Sequence, residues 1–382
     1  MRLEIIRDEA GFAALEPVWD SLLKASATRS PFLAWDYVRL WWEEFQHHFQ
    51  LCLGVVKDES GTVRGIAPFV IGTEMDGGRQ HLRHLGFING LGQLQGERLD
   101  LLVPAGQEAE ITPLLVRVIA NSRARWDVVR LNKVPEESPN QPMLMAELRR
   151  TGSLAGVLNR SYCHCFPLPA TWEAYEATKP GNFRRNIRRY WSILTTKLEA
   201  IVAVAGQEIS PAEAMQKFFE LHAMHWPDGV SSFLRPAAKR LHQKLCLKWI
   251  PTGEMQLSFI MVDGAAVGAV YAFCYLDELY VYQLGWNPAF AHVSMGNMSV
   301  RACVFAAIQR GLKLVDFLPG DYRYKREWSG DKRVLIDMEC FHQWRPRALL
   351  FCLLRWAKRR FDLARNISPA PVRKSTASES AE

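Results

Sequence analysis

Apolar positions along the chain switch repeatedly between helical and strand spacing. Leu3–Ile6 reads as a short strand. Phe12, Leu15, Val18, Trp19 and Leu22 then recur at helical steps, predicting a helix over Gly11–Leu23. Ser30-Pro31 opens a second helical segment, in which Trp35, Val38, Trp41, Trp42 and Phe45 form an aromatic face spaced like a core stripe. Leu51–Lys57 and Val63–Ile71 flank Asp58-Glu59-Ser60-Gly61 and read as a hairpin. A further strand pair is expected at Leu82–Phe87 and Arg98–Val103. An amphipathic helix over Ala109–Arg123 and a strand at Trp126–Leu131 follow, and the proline-bearing residues 132–142 read as the exit from a first domain.

The same kinds of segment then return. A helix is expected over Gln141–Arg150, a strand at Tyr162–Leu168 and a short helix at Thr171–Thr178. Another helix follows Pro180-Gly181, with Asn182 as its cap. Pro211–Met224 and Pro236–Trp249 read as helices, and Glu254–Val262, Ala266–Tyr275 and Glu278–Trp286 as a meander. A helix from about Gly296 to Arg310 leads into the strand Leu312–Leu318. The hairpin Leu51–Phe69 parallels Leu257–Phe273, each with an acidic-glycine turn before a strand carrying Val-x-Gly or its counterpart. Both hairpins precede further strands, a helix and a closing strand. Two copies of one unit, residues 1–150 and 155–345, are the economical explanation. Antiparallel hairpins combined with a strand–helix–strand crossover predict an α/β fold of mixed, α+β-like sheets.

Composition refines this picture mainly at one end. The chain has 382 residues and a formal charge of +7. Residues 345–382 carry nine Lys/Arg against Asp362, Glu379 and Glu382, leaving the rest nearly neutral. That balance gives no expectation of DNA binding. In the basic segment 346–382, Leu350, Leu353, Leu354, Ala357, Phe361 and Ala364 fall on one helical face, opposite Arg355, Lys358, Arg359 and Asp362. Two readings of this tail stand: a helix packed on the body, with Ser368–Glu382 disordered, or a basic amphipathic helix on an anionic membrane surface. The start of the chain lacks a signal-peptide pattern, and no apolar run is long enough to span a bilayer. The expected location is the cytoplasm, with the inner membrane's periphery as the alternative if the tail binds lipid. The eight cysteines lack paired spacing, and Cys163-His164-Cys165 has no second pair to complete a metal site, so no metal is expected.

Candidate chemistry gathers at Gly311–Trp328. A buried strand stops at Pro319-Gly320, and Asp321, Tyr322, Tyr324 and Lys325 follow at once, with Asp316 inside the strand. Lys325 is expected to project from the sheet's end as a point cation. Four arginines, Arg184, Arg185, Arg188 and Arg189, lie within one helical stretch, and Arg184 and Arg188 share a face suited to phosphate or carboxylate. A solvated helical face is the plainer alternative. His222 and His225 sit one turn apart without a metal-binding motif and read as structural or substrate-facing. The loop Asn287–Met298 carries Gly296 at a helix start, where backbone amides can receive a pyrophosphate.

Four segments carry a resemblance to a known family: Phe32–Tyr37 with Trp41-Trp42, Arg184–Arg189, Ser294–Met298 and Asp316–Trp328. Together they resemble the GNAT acyltransferase fold, in particular the FemAB-like group that includes CelD or BioF2-like acetyltransferases. The resemblance covers about residues 1–345 and implies tandem GNAT-like units, the first degenerate. It implies an acyl-CoA donor such as acetyl-CoA, held at Ser294, Gly296, Asn297 and Met298. It also implies N-acyl transfer to an amine acceptor, a small molecule or saccharide, in polysaccharide or cell-envelope biosynthesis. The loop departs from the fuller GNAT pattern, having one glycine where that pattern has two and a basic residue. Catalytic candidates are Lys325 for the oxyanion, Tyr324 or Tyr322 as acid, and Asp321 or Asp316 as base, with Arg184, Arg188 and His225 toward the acceptor. Two alternatives remain: a FemAB-type transferase using aminoacyl-tRNA, and a non-catalytic scaffold derived from the fold.

Overall fold

The computed structural model describes residues 1–75, 81–226 and 231–353. They divide into two compact units, one of residues 1–161 with 334–353, the other of residues 162–333.

In the first unit, β1 (Arg2–Ile6) is followed by α1 (Glu9–Ala13), α2 (Glu16–Ala25) and α3 (Trp35–Phe45). The single helix expected over Gly11–Leu23 is thus two, with Pro17 in the first turn of α2, where a missing N–H costs nothing. Next come β2 (Phe49–Leu51), β3 (Leu53–Lys57), β4 (Val63–Ala67), β5 (Phe69–Met75) and β6 (His81–Phe87). Then α4 (Glu108–Leu115), α5 (Arg117–Asn121), β7 (Val128–Pro135) and α6 (Gln141–Thr151) complete the run. Arg98–Val103 does not form the expected strand; only Leu102 makes a bridge, to Ile66. The reason is Asp100, whose fully buried carboxylate accepts hydrogen bonds from Thr28, Ser138, Asn140 and the Leu101 amide. That carboxylate also pins residues 138–140, so the stretch expected as a domain exit is part of this unit.

The chain passes through β8 (Ser153–Pro167), whose residues from Tyr162 belong to the second unit. There α7 (Trp172–Ala177), α8 (Gly181–Ser192), β9 (Ile201–Val204), α9 (Pro211–His225) and α10 (Pro236–Thr252) precede β10 (Met255–Val262), β11 (Ala265–Tyr275) and β12 (Glu278–Trp286). The unit continues with α11 (Met295–Gln309), β13 (Leu314–Pro319) and α12 (Arg323–Trp328), and β14 (Asp331–Phe341) leads out of it. Strand alternation sorts its core. Val270 and Ala272 belong with Met295, Met298 and Cys303 of α11 to one buried cluster, while Tyr271 packs edge-on against Phe218 and at a tilt against Phe233. Pro180, not Asn182, is the N-cap residue of α8.

From Val334, β14 pairs antiparallel with β7 and so joins the first unit. This closing strand was not visible in the apolar pattern. Each unit now shows the same pairing sequence. In the first, β3–β4 and β5–β6 are antiparallel, β6–β7 parallel and β7–β14 antiparallel. In the second, β10–β11 and β11–β12 are antiparallel, β12–β13 parallel and β13–β8 antiparallel. The units differ at Pro68, which separates β4 from β5 where β11 runs through. Residues 346–353 are helical and bury Ala348 and Phe351 against Leu82, Val128 and Phe341. The remaining tail positions, from Leu354 on, lie outside the described residues.

Candidate active site

The second unit's sheet forks. Backbone pairing of β12 with β13 is confined to Glu278–Tyr280 against Leu314–Asp316. Beyond that point β12 stays with β11 as far as Trp286, and β13 stays with β8 as far as Pro319. Parallel strands that part in this way leave unpaired backbone facing an opening at their carboxyl ends. Close packing fixes one prong: a side chain on Gly285 would lie 2.6 Å from the His222 amide, so α9 meets β12 backbone to backbone. His222 Nδ1 adds a contact of 2.8 Å to the Leu284 carbonyl.

At the head of this opening α11 begins. Ser294 precedes it in the left-handed region (φ 53°), turning the chain sharply into the helix. Met298 N donates to Ser294 O, so the amides ahead of the first helical bond are those of Met295, Gly296 and Asn297. The expected contribution of the Met298 amide is therefore corrected, and its side chain lies in the core. A Cβ on Gly296 would stand 3.6 Å from Trp286 Nε1, which leaves the first turn open to a neighbouring group. No carboxylate occupies that turn. The equivalent helix of the first unit, α4, has Glu108 and Glu110 there, and Glu108 already accepts the Gly106 amide. A pyrophosphate would meet attraction at α11 and two like charges at α4.

The end of β13 and the turn that follows it are held under backbone strain. Leu318 is left-handed (φ 58°) and Gly320 follows at φ 126°. This swings the carbonyls of Phe317, Leu318 and Pro319 toward one point, where Lys325 Nζ donates to all three at 2.8, 3.1 and 3.0 Å. Lys325 is 5% exposed, so it does not project from the sheet's end as expected. The first turn of α12 directs it inward instead. Asp316, fully buried, grips the same turn from the other side by accepting Leu318 N at 2.8 Å, with Arg333 3.6 Å from its second oxygen.

Around this clasp, Tyr322 is exposed and stacks on Tyr324, which packs edge-on against Phe317. Burial pushes the Tyr324 phenol well above its ordinary range, with Tyr322 adding to the shift. Asp321 is exposed, 3.0 Å from His164 Nε2 and 3.0 Å from an Arg326 nitrogen; hydrogen bonds from His164 and then Arg326 hold its carboxyl below the usual value. His164, which in sequence belongs only to an incomplete metal cluster, is the residue that spacing could not assign to this site.

Asn297 ties the two sides together. Its Oδ1 accepts Trp328 Nε1 at 2.8 Å, and its Nδ2 donates to Ser294 Oγ at 3.2 Å. Trp328 meets Phe183 edge-on, which brings the start of α8 and its arginines to the same region. Arg188 is committed to Glu176, a buried carboxylate, at 3.0 and 2.6 Å, while Arg184 is partly exposed. The His225 ring lies tilted against Trp286, centroids 4.9 Å apart, and burial, with the His222 charge as a smaller cause, lowers its pKa to about 4. The structure thus joins Ser294, Gly296, Asn297 and His225 through Trp286 and Trp328, neither of which the sequence pattern singled out as site residues. Among the described residues, no group of three or more His, Cys, Asp or Glu is placed to hold a metal ion.

This forked sheet with its helix start is the architecture of acyltransferases of the GNAT class, and residues 181–326 match the acetyltransferase (GNAT) domain family. No curated protein matches the sequence. Among solved structures the chain is similar to FemX, at 10% identity over 89% of this chain and 97% of that one, with a TM-score of 0.60. It is similar also to a protein of unknown function from Bacteroides thetaiotaomicron (11% identity, 89% and 99% covered, TM-score 0.55). A third is the C-terminal domain of an Agrobacterium fabrum protein named for lysylphosphatidylglycerol synthetase (11% identity, 89% and 95% covered, TM-score 0.52). The likeness to FemAB-like GNAT acyltransferases therefore holds at the level of fold, over both units.

Proposed function

We propose that the second unit is an N-acyltransferase that moves an acyl group from acyl-CoA to an amine. The observation that carries this reading is the first turn of α11, free of acidic side chains, at the head of the β12–β13 fork. The donor's pyrophosphate lies on the amides of Met295, Gly296 and Asn297, and its thioester arm runs into the fork, where strand backbone offers hydrogen bonds. The first unit, with Glu108 and Glu110 at the matching helix, keeps the fold without the donor site.

Transfer follows from the groups at the end of β13. The amine attacks the thioester carbonyl, the C–N bond forms, and the C–S bond breaks as the thiolate leaves. Tyr324, which burial makes a weaker acid and so keeps protonated, donates a hydrogen bond to the departing thiolate, and solvent supplies the proton that completes the thiol. Asp321, kept ionised by His164 and Arg326, holds the incoming amine and takes the proton it releases. Lys325 has its ammonium filled by three carbonyls, so its task is to hold the turn that presents Tyr322 and Tyr324. Arg184 and His225 face the acceptor, a small molecule or saccharide amine of the kind used in envelope and polysaccharide synthesis.

The test is thiol release from acetyl-CoA and longer acyl-CoAs with a panel of amino sugars, alongside transfer from aminoacyl-tRNA to the same panel. Amine-dependent thiol release supports the reading. Transfer from aminoacyl-tRNA alone would move it to a FemAB-type reaction, and no transfer from either donor would leave the scaffold reading.

A further inference from the structure

The helix at residues 346–353 meets its unit through Ala348, Phe351 and Cys352. It is fixed there: Arg345 donates to Asp127 Oδ1 and to the Ala124 carbonyl, each at 2.6 Å. Its other side turns outward. Leu350 and Leu353 are 51% and 62% exposed, and Trp344, in the turn before the helix, is 76% exposed. Arg347 lies exposed beside them. Single exposed apolar side chains are ordinary on a protein surface, but three large ones on one anchored segment mark a contact face.

In the sequence, apolar residues keep helical spacing beyond Leu353. At 100° per residue, Leu354, Ala357, Phe361 and Ala364 share the side of Leu350 and Leu353, not that of Ala348 and Phe351. The stripe that periodicity selects is therefore a different face from the one the unit covers. Arg347, Lys358, Arg360 and Arg365 flank that stripe in the same projection. Basic side chains bordering an apolar stripe suit the boundary between lipid headgroups and acyl chains.

We propose that the outward face of this segment docks on an anionic lipid surface, with Trp344, Leu350 and Leu353 entering the interface and Arg347 on lipid phosphate. A second copy of the chain is the less suitable occupant. It would set one segment of nine Lys/Arg against another, and the described apolar side chains supply far less than the roughly 800 Å² per partner of a stable dimer. Docking does not depend on the acyl-transfer reading.

The experiment is co-sedimentation of the full chain with vesicles of phosphatidylcholine, with or without a quarter of phosphatidylglycerol, at low and high salt. Binding is expected to the anionic vesicles, to weaken as salt rises, and to fall by about tenfold or more in the double variant Leu350→Glu, Leu353→Glu. Both leucines are exposed, so the variant's melting temperature is expected to match the wild type. Failure of the wild type to sediment with anionic vesicles overturns the proposal, as does undiminished binding by the variant. A dimer that the double substitution splits, without vesicle binding, would assign the face to a second copy.

Discussion

Replacing Lys325 by methionine tests how the turn beyond β13 is held. Methionine nearly preserves the length and fills the same space, but donates nothing. The carbonyls of Phe317 and Leu318, both in buried residues, would lose their donor, and that of Pro319 would turn to solvent. A buried polar group left without its partner costs about 1–3 kcal/mol, so two give about 2–6 kcal/mol. Relief of burying the ammonium itself offsets part of this, leaving about 2–3 kcal/mol. For a unit of this size each kcal/mol lowers the melting temperature by about 2–4 °C, so a fall of roughly 5–10 °C is expected. An exposed lysine engaged only with Asp321 would contribute at most about 1 kcal/mol. Thermal melts followed by tryptophan fluorescence, with urea titrations in parallel, separate these cases. A variant melting within about 1 °C of the wild type would refute the clasp and return Lys325 to the role of a projecting cation.

Further expectations concern other parts of the second unit. Arg188→Ala removes the hydrogen-bonded ion pair of the buried Glu176 carboxylate and is expected to lower the melting temperature, while Arg184→Ala leaves the melt unchanged and raises the acceptor's KM. Tyr324→Phe is expected to lower the transfer rate by about 10²-fold with little change in donor affinity, measured as kcat against the dissociation constant of CoA. Burial lowers His242 to about 3 and His225 to about 4. Both are neutral in the fold, so the stability they contribute is complete above the ordinary histidine value of 6.5 and is lost as pH falls toward those values. For His242 alone the loss by pH 5 is on the order of 2 kcal/mol, and His242→Gln should flatten a melting-temperature profile taken from pH 7 to about pH 5.

Much of the fold was legible because apolar spacing reports burial directly. The β10–β11–β12 meander, the helix at α11 and the strand at β13 all carry strong periodicity. What stayed hidden was decided by polar groups and by pairing between distant segments. Asp100 converts an apolar stretch, Arg98–Val103, into a pinned loop through partners far along the chain. The return of β14 to β7 depends on long-range register, which local spacing does not encode. The site divides in the same way. Residue types at Asp321, Tyr322, Tyr324 and Gly296 drew notice by chemistry and position. Whether Lys325 faces outward or inward turns on a left-handed Leu318, which no spacing pattern signals. Trp286 and His164 enter the site only through folding, since Trp286 reads as the end of a strand and His164 as part of an incomplete metal cluster, while Trp328 lies in the candidate stretch without a role that spacing could assign.

The most direct measurement of the central claim is calorimetric titration of CoA and acetyl-CoA into the wild type and Gly296→Asp. A side chain at Gly296 clashes with nothing nearer than 3.6 Å, and aspartate in a helix's first turn is favourable, so the variant should melt with the wild type. Its carboxylate would sit where the donor's pyrophosphate belongs. Binding by the wild type and its loss in the variant, with unchanged melting, is the expected result. Absence of binding in the wild type, or equal binding by both proteins, would contradict an acyl-CoA site at the start of α11.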